Sequence, residues 1–279
     1  MLVDFNVMVK DEGLLLEKVL PIWKSYDVDQ FVFYDDNSSD NTLEVIAKHL
    51  EPERYVLLND KLPKFNEGYH RSKMLQHSRK RKADFAISVD SDELLSANFA
   101  KDLKHILKDH EAKDLWIYWY NVVNGSLEYV RTDPAYTNNY RNFVMPLKHT
   151  GYLDISQWKY HTPRIPTINL PRAFTKEYGI IHLQAMNVRF YALKQLWYKH
   201  YELVNYNHSI SEINNRYDPV VNNLNFFPVK VPESIVGDLV FDDSVFDLIE
   251  EKKGYKKYVR EHYNSSLVTF GKQYVAKEG

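Results

Sequence analysis

The sequence contains no cysteine among its 279 residues. This absence excludes disulfide bonds, a thiolate nucleophile and any zinc or iron–sulfur site that needs cysteine ligands. It also favours a reducing compartment, and we therefore predict a cytoplasmic protein. No apolar run reaches the roughly 18 residues that a transmembrane helix requires, so we expect no transmembrane segment. The N-terminus also lacks the basic and apolar segments of a secretion signal.

Charge of one sign is not in excess, since the net charge is −2 and the pI is near 6.6. Nucleic acids and anionic membranes usually select a strongly basic surface, so we expect no nucleic-acid partner. Aromatic residues make up 14% of the chain, with 21 tyrosines and 5 tryptophans. Their flat apolar faces suit stacking against sugar rings or bases, although packing in the core is the more common role of any single one.

Strand-like and helix-like segments alternate over residues 1–122. The predicted strands cover 2–9, 30–34, 55–58 and 83–89, and the predicted helices cover 14–26, 42–50 and 67–82. This alternation predicts an α/β fold with a mainly parallel sheet and helices on both faces. In such folds, ligands bind beyond the carboxyl ends of the strands.

The pattern becomes less regular beyond about residue 123. We predict strands at 127–130, 142–147 and 178–183, and helices at 188–206 and 246–263. Residues 214–243 contain several prolines and asparagines and are interpreted as an extended loop. We therefore expect one continuous domain made of two halves, residues 1–122 and residues 123–279.

An acidic tetrad, Asp90 to Glu93, follows the apolar run of the fourth predicted strand. Carboxylates in this spacing repel one another unless something positive binds between them, and they suit a hard divalent cation that would hold a diphosphate. The same residues are also good caps for a following helix, and the tetrad alone does not separate the two interpretations.

A second acidic cluster, residues 35–42, follows the second predicted strand. Asp40 is a natural helix cap, and Asn37 with Ser38 favours a turn. Capping does not explain Asp35, which stands at the strand end, where a carboxylate can accept hydrogen bonds from a nucleobase or a ribose. Glycine is scarce nearby, since only Gly13 follows the first strand closely.

Three segments taken in order, Val9 to Glu12, Tyr34 to Thr42 and Val89 to Leu94, resemble the nucleotide-sugar-binding half of GT-A glycosyltransferases of the family-2 type with a D-x-D-E ending. The resemblance implies a Rossmann-like GT-A fold, in which residues 1–122 bind the nucleotide sugar and a smaller, mixed half, residues 123–279, binds the acceptor and ends in helices. It also implies which residues contact the nucleotide sugar, here called the donor-side residues: Val9, Asp11, Glu12, Asp35, Asp90 and Ser91.

The resemblance further implies a Mn²⁺ or Mg²⁺ ion held by Asp90 and Asp92. His182, which ends a predicted strand, is similar to a histidine that completes such metal sites, and a buried core histidine is an equally weighted interpretation. On the basic helix 67–82, Arg71 and Lys73 stand near the start and are placed to reach a diphosphate. The other basic residues of this helix are interpreted as a solvated face.

An inverting glycosyltransferase also needs a carboxylate that takes the proton of the acceptor hydroxyl. The acceptor motif common in family 2 is absent, so the base is not fixed by the resemblance. Asp154 is the first candidate because small and aromatic residues surround it, and Asp133 and Asp218 are the alternatives. A further group could line the acceptor site or merely pack: Trp158, His161, Arg164 and Trp197.

The predicted function is transfer of a sugar from a UDP-sugar to a hydroxyl of a glycan or glycoprotein. A narrower resemblance, to glycosyltransferases of large algal viruses, implies UDP-xylose as donor and the host cytoplasm as location. Two alternatives remain open. A sugar nucleotidyltransferase would carry a glycine-rich phosphate loop after the first strand, and a non-catalytic glycan-binding protein would not need two acidic clusters.

Overall fold

The structure is a computed structural model that describes residues 1–62, 65–123, 125–132, 139–151, 154–157, 163–205, 208–222 and 227–262. The strands in these ranges are β1 Val3–Val9, β2 Gln30–Asp35, β3 Tyr55–Leu58, β4 Phe85–Asp90, β5 Glu93–Leu95, β6 Asp114–Val123, β7 Ser126–Thr132, β8 Tyr140–Asn142, β9 Val144–Pro146, β10 Arg172–His182 and β11 Phe227–Lys230. The helices are α1 Gly13–Trp23, α2 Thr42–His49, α3 Glu67–Lys80, α4 Ala97–Lys101, α5 Leu103–Asp109, α6 Val188–Asn205, α7 Ile210–Asn222, α8 Glu233–Val236, α9 Val245–Lys253 and α10 Tyr255–His262.

The chain divides into two compact units. The first comprises Met1–Tyr120, Asn138–His182 and Val231–Leu239, and the second comprises Asn121–Thr137, Leu183–Lys230 and Val240–Gly279. The predicted assignment of donor and acceptor binding to residues 1–122 and 123–279 stays a prediction. None of the helices in the described ranges has the length and apolar character that crossing a membrane would require.

A five-stranded sheet with the order β3-β2-β1-β4-β9 forms the core of the first unit. Strands β1 to β4 run parallel to one another, and the short β9 pairs with β4 in the antiparallel direction. The strands β1, β2 and β4 are almost completely buried, as expected for a parallel sheet covered on both faces. The predicted α/β fold with a mainly parallel sheet is therefore confirmed.

Helices cover both faces of this sheet. Alternate side chains of a strand point to opposite faces. Phe5 packs against Trp23 of α1, with ring centroids 5.4 Å apart, whereas the next residue, Asn6, accepts a hydrogen bond of 3.3 Å from Ser78 of α3. Helices α1 and α3 therefore lie on opposite faces.

A second, antiparallel sheet in the first unit contains β5, β10 and β6 in that order, and β8 pairs with β6. Gly179 of β10 lies very close to β6, because a Cβ atom at this position would stand 2.5 Å from the carbonyl oxygen of Tyr118. A glycine is thus required where the two backbones approach. The prediction of one strand over 142–147 was wrong in detail, since β8 and β9 end up in different sheets.

The second unit contains the long helix α6, which confirms the predicted helix 188–206. The interpretation of 214–243 as an extended loop was wrong, because α7 occupies its beginning and β11 and α8 follow. Helix α7 forms despite its proline and asparagines because Ile213 and Tyr217, one turn apart, are both buried. The predicted last helix is divided into α9 and α10 at Gly254, which adopts the left-handed conformation that ends a helix.

Candidate active site

The carboxyl ends of β1, β2 and β4 meet at one edge of the parallel sheet. Asp35, the last residue of β2, is in register with Val9 of β1, and Asp90, the last residue of β4, is in register with Met8. Since neighbouring strands lie about 4.8 Å apart, the Asp35 and Asp90 backbones stand about 10 Å apart across β1. The structure therefore brings the two predicted acidic clusters to the same edge.

The acidic tetrad forms a closed turn between β4 and β5. The backbone N–H of Asp90 donates a 2.8 Å hydrogen bond to Oε2 of Glu93. Ser91, Asp92 and Glu93 are buried, while the side chain of Asp90 keeps 33% of its surface exposed. Asp90 is thus the member of the tetrad that faces solvent most.

Two arginines hold the Asp90 carboxylate, one on each oxygen. Arg71 Nη2 donates to Oδ1 at 2.9 Å, and Arg164 Nη2 donates to Oδ2 at 2.5 Å. Burial acts to raise the pKa of Asp90, but the guanidiniums of Arg164 and Arg71 together outweigh burial and hold that pKa below its usual value. Asp90 is therefore an ionised carboxylate between two cations.

Glu93 is completely buried and connects three parts of the site. Its carboxylate accepts hydrogen bonds from the Asp90 backbone, from Nε1 of Trp119 at 2.8 Å, and from Arg164 through Nε at 3.1 Å and Nη2 at 2.5 Å. Burial raises the pKa of Glu93 to about 7. The motif predicted Glu93 only as part of a sequence pattern, whereas the structure makes it the centre of a hydrogen-bond network.

His182, at the end of β10, lies beside Asp92. Its Nε2 is 3.6 Å from Oδ2 of Asp92, and its ring stacks on Trp119 with centroids 4.5 Å apart. The third predicted metal ligand, Asp90, faces the arginines instead. Within the described part of the chain, no group of three or more histidine, aspartate or glutamate side chains is arranged to hold a metal ion.

Asp35 and Asp36 have different surroundings at the end of β2. Asp35 is buried and accepts hydrogen bonds from the backbone N–H of Ser38 at 3.1 Å and from the side-chain amide of Asn59 at 3.0 Å. Oδ1 of Asp36 lies 3.6 Å from Nε2 of the buried His70. Burial raises the pKa of Asp36 and lowers that of His70 to about 4, so this histidine is neutral at pH 7.

The predicted donor-side residues after β1 hold two loops together. The Asp11 carboxylate accepts hydrogen bonds from the backbone N–H groups of Ser39 and Asp40, and the Glu12 backbone N–H donates to Thr42. The carbonyl of Val9 accepts from Asp36 N–H. These contacts shape the edge of the sheet, and direct contact of the three residues with a nucleotide stays a prediction.

Of the two predicted basic residues of α3, only Arg71 reaches the acidic turn. Residues two apart on a helix point about 200° apart, and Lys73 accordingly lies 3.5 Å from Asp60 on another side of the helix. A contact of Lys73 with the donor stays a prediction that this geometry does not favour.

The three candidate bases have different positions. Asp154 is exposed, and its Oδ1 accepts hydrogen bonds from Ser156 N–H at 2.8 Å and from Ser72 of α3 at 3.4 Å. The bonds from Ser156 hold the pKa of Asp154 below its usual range. Asp218 belongs to the second unit and is bonded to Lys199. Asp133 lies outside the described residues, as do Trp158 and His161 of the predicted acceptor group.

The sequence left Arg164 either to line an acceptor site or to pack, and it gave Trp119 and Glu67 no role. Arg164 instead pairs with Asp90, and Glu67 pairs with Arg71 at 2.8 Å. The spacing of Glu67 and Arg71, four residues apart on a helix, was a signal that could have revealed their pairing. The contacts of Arg164 and Trp119 with the tetrad are long-range, and no local pattern indicates them.

No protein-family model matches the chain, and no curated protein matches it. Among solved structures, the chain is similar to residues 1–349 of TarS from S. aureus, with 13% identity, a TM-score of 0.47, and coverage of 77% of this chain and 68% of that chain. For the same fragment in complex with UDP, the identity is 13%, the TM-score 0.48 and the coverage 77% and 69%.

A second similar structure is glucosyl-3-phosphoglycerate synthase from Mycobacterium tuberculosis, in complex with Mn²⁺, UDP and glucosyl-3-phosphoglycerate. The identity is 16%, the TM-score 0.33, and the coverage 43% of this chain and 44% of that chain. Similarity of this degree assigns neither a family nor a reaction to the chain.

Proposed function

We propose that the chain is a metal-dependent, inverting glycosyltransferase that moves a sugar from a UDP-sugar to a hydroxyl of a glycan or glycoprotein. The observation that carries this proposal is the meeting of two different acidic sites at the carboxyl edge of one parallel sheet. One contains Asp35 and Asp36, and the other contains Asp90 and Asp92. This edge is the ligand-binding side of such sheets.

The two sites suit the two ends of a nucleoside diphosphate. Asp35 and Asp36 offer carboxylate oxygens that accept hydrogen bonds from a base or a ribose. The acidic turn, about 10 Å away across β1, combines carboxylates with two arginines, and guanidinium groups are well suited to phosphate. This combination supports a nucleotide sugar lying along the edge, with its base near β2 and its diphosphate near β4.

Asp92 and His182 fit a divalent cation as two of its protein ligands. Their facing atoms are 3.6 Å apart, and a cation with bonds of about 2.1 Å separates adjacent ligand atoms by about 3 Å. Carboxylate and phosphate oxygens suit Mn²⁺ or Mg²⁺, and the imidazole nitrogen of His182 would favour Mn²⁺ over the harder Mg²⁺. When bound, the cation would neutralise the charge of the leaving diphosphate. Participation of Asp90 as a third ligand stays a prediction.

An inverting transfer forms the new glycosidic bond as the bond to the diphosphate breaks, and the acceptor hydroxyl loses its proton to a carboxylate. Asp154 is our first candidate for this acceptor of the proton. It is exposed, and it contacts Ser72, the neighbour of Arg71 on α3. The hydrogen bonds from Ser156 that lower its pKa keep Asp154 ionised at neutral pH, the protonation state that a general base needs.

Only the sequence bears on the identity of the donor sugar and on the cellular location. Xylose as the donor sugar, and the cytoplasm of the chain's own cell or of a host as the location, stay predictions.

The chief competing function is that of a sugar nucleotidyltransferase, which differs from a glycosyltransferase in the bond that is broken. A glycosyltransferase cleaves between the sugar carbon and the diphosphate, whereas a nucleotidyltransferase acts at the phosphorus next to the nucleoside.

The experiment is incubation with Mn²⁺ and a panel of UDP-, GDP- and TDP-sugars without acceptor, with products separated by chromatography. We expect slow release of free sugar and UDP from a UDP-sugar. Asp92→Ala should retain less than about a tenth of this rate, which corresponds to a rise of at least about 1.4 kcal/mol in the barrier. Asp84→Ala is the matched control, because Asp84 lies next to the opposite, amino end of β4 and should leave the rate unchanged.

Release of a sugar 1-phosphate and a nucleoside triphosphate in a parallel incubation with added pyrophosphate would indicate a nucleotidyltransferase instead, because pyrophosphate attacks the phosphorus next to the nucleoside and the sugar 1-phosphate leaves. Turnover of no nucleotide sugar with either Mn²⁺ or Mg²⁺ would reject the proposed function. Equal rates for Asp92→Ala and wild type would reject the metal assignment. Folding of each variant is checked by circular dichroism, and Asp92→Ala should be folded because removing one carboxylate from a cluster relieves repulsion.

A further inference from the structure

Asp90 lies between Arg71 and Arg164, which come from α3 and from a loop before β10. Each arginine presents an N–H group to a different oxygen of the same carboxylate, at 2.9 Å and 2.5 Å. Two guanidiniums that share one O–C–O group resemble the arrangement in which arginines bind the oxygens of a phosphate.

The arginines do not depend on Asp90 as their only counter-ion. Arg71 is also bonded to Glu67, and Arg164 is also bonded to Glu93, which accepts two of its N–H groups. The buried guanidinium of Arg71 and the largely buried guanidinium of Arg164 therefore each have a carboxylate of their own, as burial of a charge requires. Asp90 is the shared and more exposed partner, so its departure would leave neither arginine without an anion.

Arg71 also has an unused donor. Its side chain is only 2% exposed, and its Nη1 has no hydrogen-bond partner among the described residues. Buried donors are almost always satisfied, so an unpaired one beside the site calls for an acceptor. A phosphate group, which offers more acceptor oxygens than a carboxylate, could meet this demand after small movements of the guanidinium.

We propose that Arg71 and Arg164 form a diphosphate-binding pair, and that Asp90 is the counter-ion which the phosphate oxygens replace. The identity of the anion as the donor's diphosphate rests on the proposed function. Exchange of one anion for another keeps both arginines paired. It also turns the Asp90 carboxylate away from the arginines, toward the side where Asp92 and His182 would hold a cation. Binding of the diphosphate and binding of the cation are thereby coupled.

The competing interpretation is that Asp90 and the two arginines form a permanent scaffold. The two interpretations differ in what removal of the Asp90 charge does to anion binding. If Asp90 competes with phosphate, removing its charge strengthens anion binding. If Asp90 only positions the arginines, removing its charge weakens anion binding or leaves it unchanged.

The test is titration calorimetry of the full chain with inorganic pyrophosphate in EDTA, so that no divalent cation contributes. We expect Asp90→Asn to bind pyrophosphate about tenfold more tightly than wild type, a change equal to about 1.4 kcal/mol. The matched control is Asp92→Asn, which removes the same charge from the same turn but faces His182 at 3.6 Å. It should change the affinity by less than about twofold, the size expected of a general charge effect on a screened surface.

A second pair of variants tests the arginines themselves. Arg164→Lys placed in the Asp90→Asn background should abolish the gain, because lysine keeps the charge but lacks the planar fork. Arg79→Lys, a change of the same kind on α3 at a residue that contacts the backbone of Leu147 and Gly151, should leave the gain intact.

Unchanged or weaker binding by Asp90→Asn would overturn the proposal in favour of the scaffold. Equal tightening by Asp90→Asn and Asp92→Asn would overturn it in favour of general electrostatics. If Asp90→Asn does not fold, Asp90→Ser is measured in its place by the same criteria. The hydrolysis of nucleotide sugars by the wild type with Mn²⁺ tests the proposed function separately, so failure of one experiment does not imply failure of the other.

Discussion

Asp35 and Asp36 are adjacent residues with different tasks in the structure. The two bonds of Asp35, to Ser38 and Asn59, connect the end of β2 to the loops beyond β2 and β3. The side chain of Asp36 lies at the same edge beside a neutral histidine, His70. A substitution at Asp35 therefore disturbs the loops that shape the site. A substitution at Asp36 changes a side chain at its surface and leaves these loop contacts in place.

We predict that Asp36→Ala weakens binding of UDP by about 0.5 to 1.5 kcal/mol, the typical value of one hydrogen bond, with little change in melting temperature. Asp35→Ala should weaken UDP binding and also lower the melting temperature, because it leaves Ser38 N–H and Asn59 without their acceptor. For both variants, the effect at saturating donor should be smaller than the effect on affinity. Calorimetry that shows unchanged UDP affinity for Asp35→Ala would remove this residue from the site.

The predicted role of Asp154 as the base is tested by replacing its carboxylate with an uncharged amide of nearly the same shape. Asp154→Asn should leave UDP affinity near that of the wild type and lower the transfer rate by roughly 10²- to 10⁴-fold, the usual contribution of a positioned proton acceptor. Asp133→Asn and Asp218→Asn are measured alongside it. Near-normal transfer by Asp154→Asn, together with loss of transfer in one of the other two, would assign the proton to that residue.

Predictability from sequence differed sharply among the site residues. The acidic residues were identifiable because each follows a strand directly, so that their place at the sheet edge is a local property. Arg164 and Trp119 reach the same turn from loops and strands far along the chain. Their roles depend on how β6 and β10 pack, and a single sequence does not reveal such long-range contacts.

At the scale of elements, the parallel sheet was predictable because its strands are short apolar runs separated by amphipathic helices. Helix α7 was not predictable from the sequence, because its proline and asparagines favour a loop locally. Tertiary contacts decide its state: Glu202 of α6 is completely buried and bonded to Arg216 and Tyr217 of α7. Burial of Glu202 and Tyr217 outweighs a weak local propensity.

Strand β1 carries polar side chains on its α3 face that a buried strand rarely has. Asp4 is completely buried, accepts a 2.6 Å hydrogen bond from Arg81, and has an Oδ2 atom with no partner among the described residues. Burial raises the pKa of Asp4 from 3.8 to about 6. Since the pKa is higher in the folded chain than in the unfolded chain, protonation of Asp4 favours folding. Its contribution to stability is complete below about pH 4 and is lost as the pH rises through 6.

We predict that Asp4→Asn abolishes the loss of stability that the wild type shows as the pH rises through 6. Between pH 4 and pH 8, the free energy of unfolding of the variant should rise relative to that of the wild type by on the order of 1 to 3 kcal/mol. Urea titrations at several pH values measure the difference. Glu53→Gln, a neutral substitution at an exposed carboxylate, should show no such dependence. A difference between Asp4→Asn and wild type that is constant over this range would show that Asp4 titrates normally.

At the scale of the whole molecule, the proposed function depends on charge balance at the sheet edge. The described site holds the carboxylates Asp90, Asp92 and Glu93 within one turn, and a nucleoside diphosphate would add further negative charge there. Arg71 and Arg164 offset part of this charge, yet both are already paired. Under the proposed function, we therefore expect tight donor binding to need an additional cation, and we expect the cation to need the oxygens of the diphosphate to complete its ligands.

We predict that this mutual dependence can be measured as an increase in thermal stability. Mn²⁺ alone and UDP alone should each raise the melting temperature of the wild type only slightly, whereas the two together should raise it by roughly 5 °C or more. A ligand present at a hundred times its Kd stabilises the folded state by about 2.7 kcal/mol, which corresponds to a shift of this size in a chain of this length. EDTA should reverse the combined shift. Asp92→Ala should abolish it and Asp84→Ala should retain it, since only Asp92 lies at the proposed cation site. An equal shift with UDP alone would mean that the arginines hold the diphosphate without a cation, and the metal dependence would then have to be abandoned.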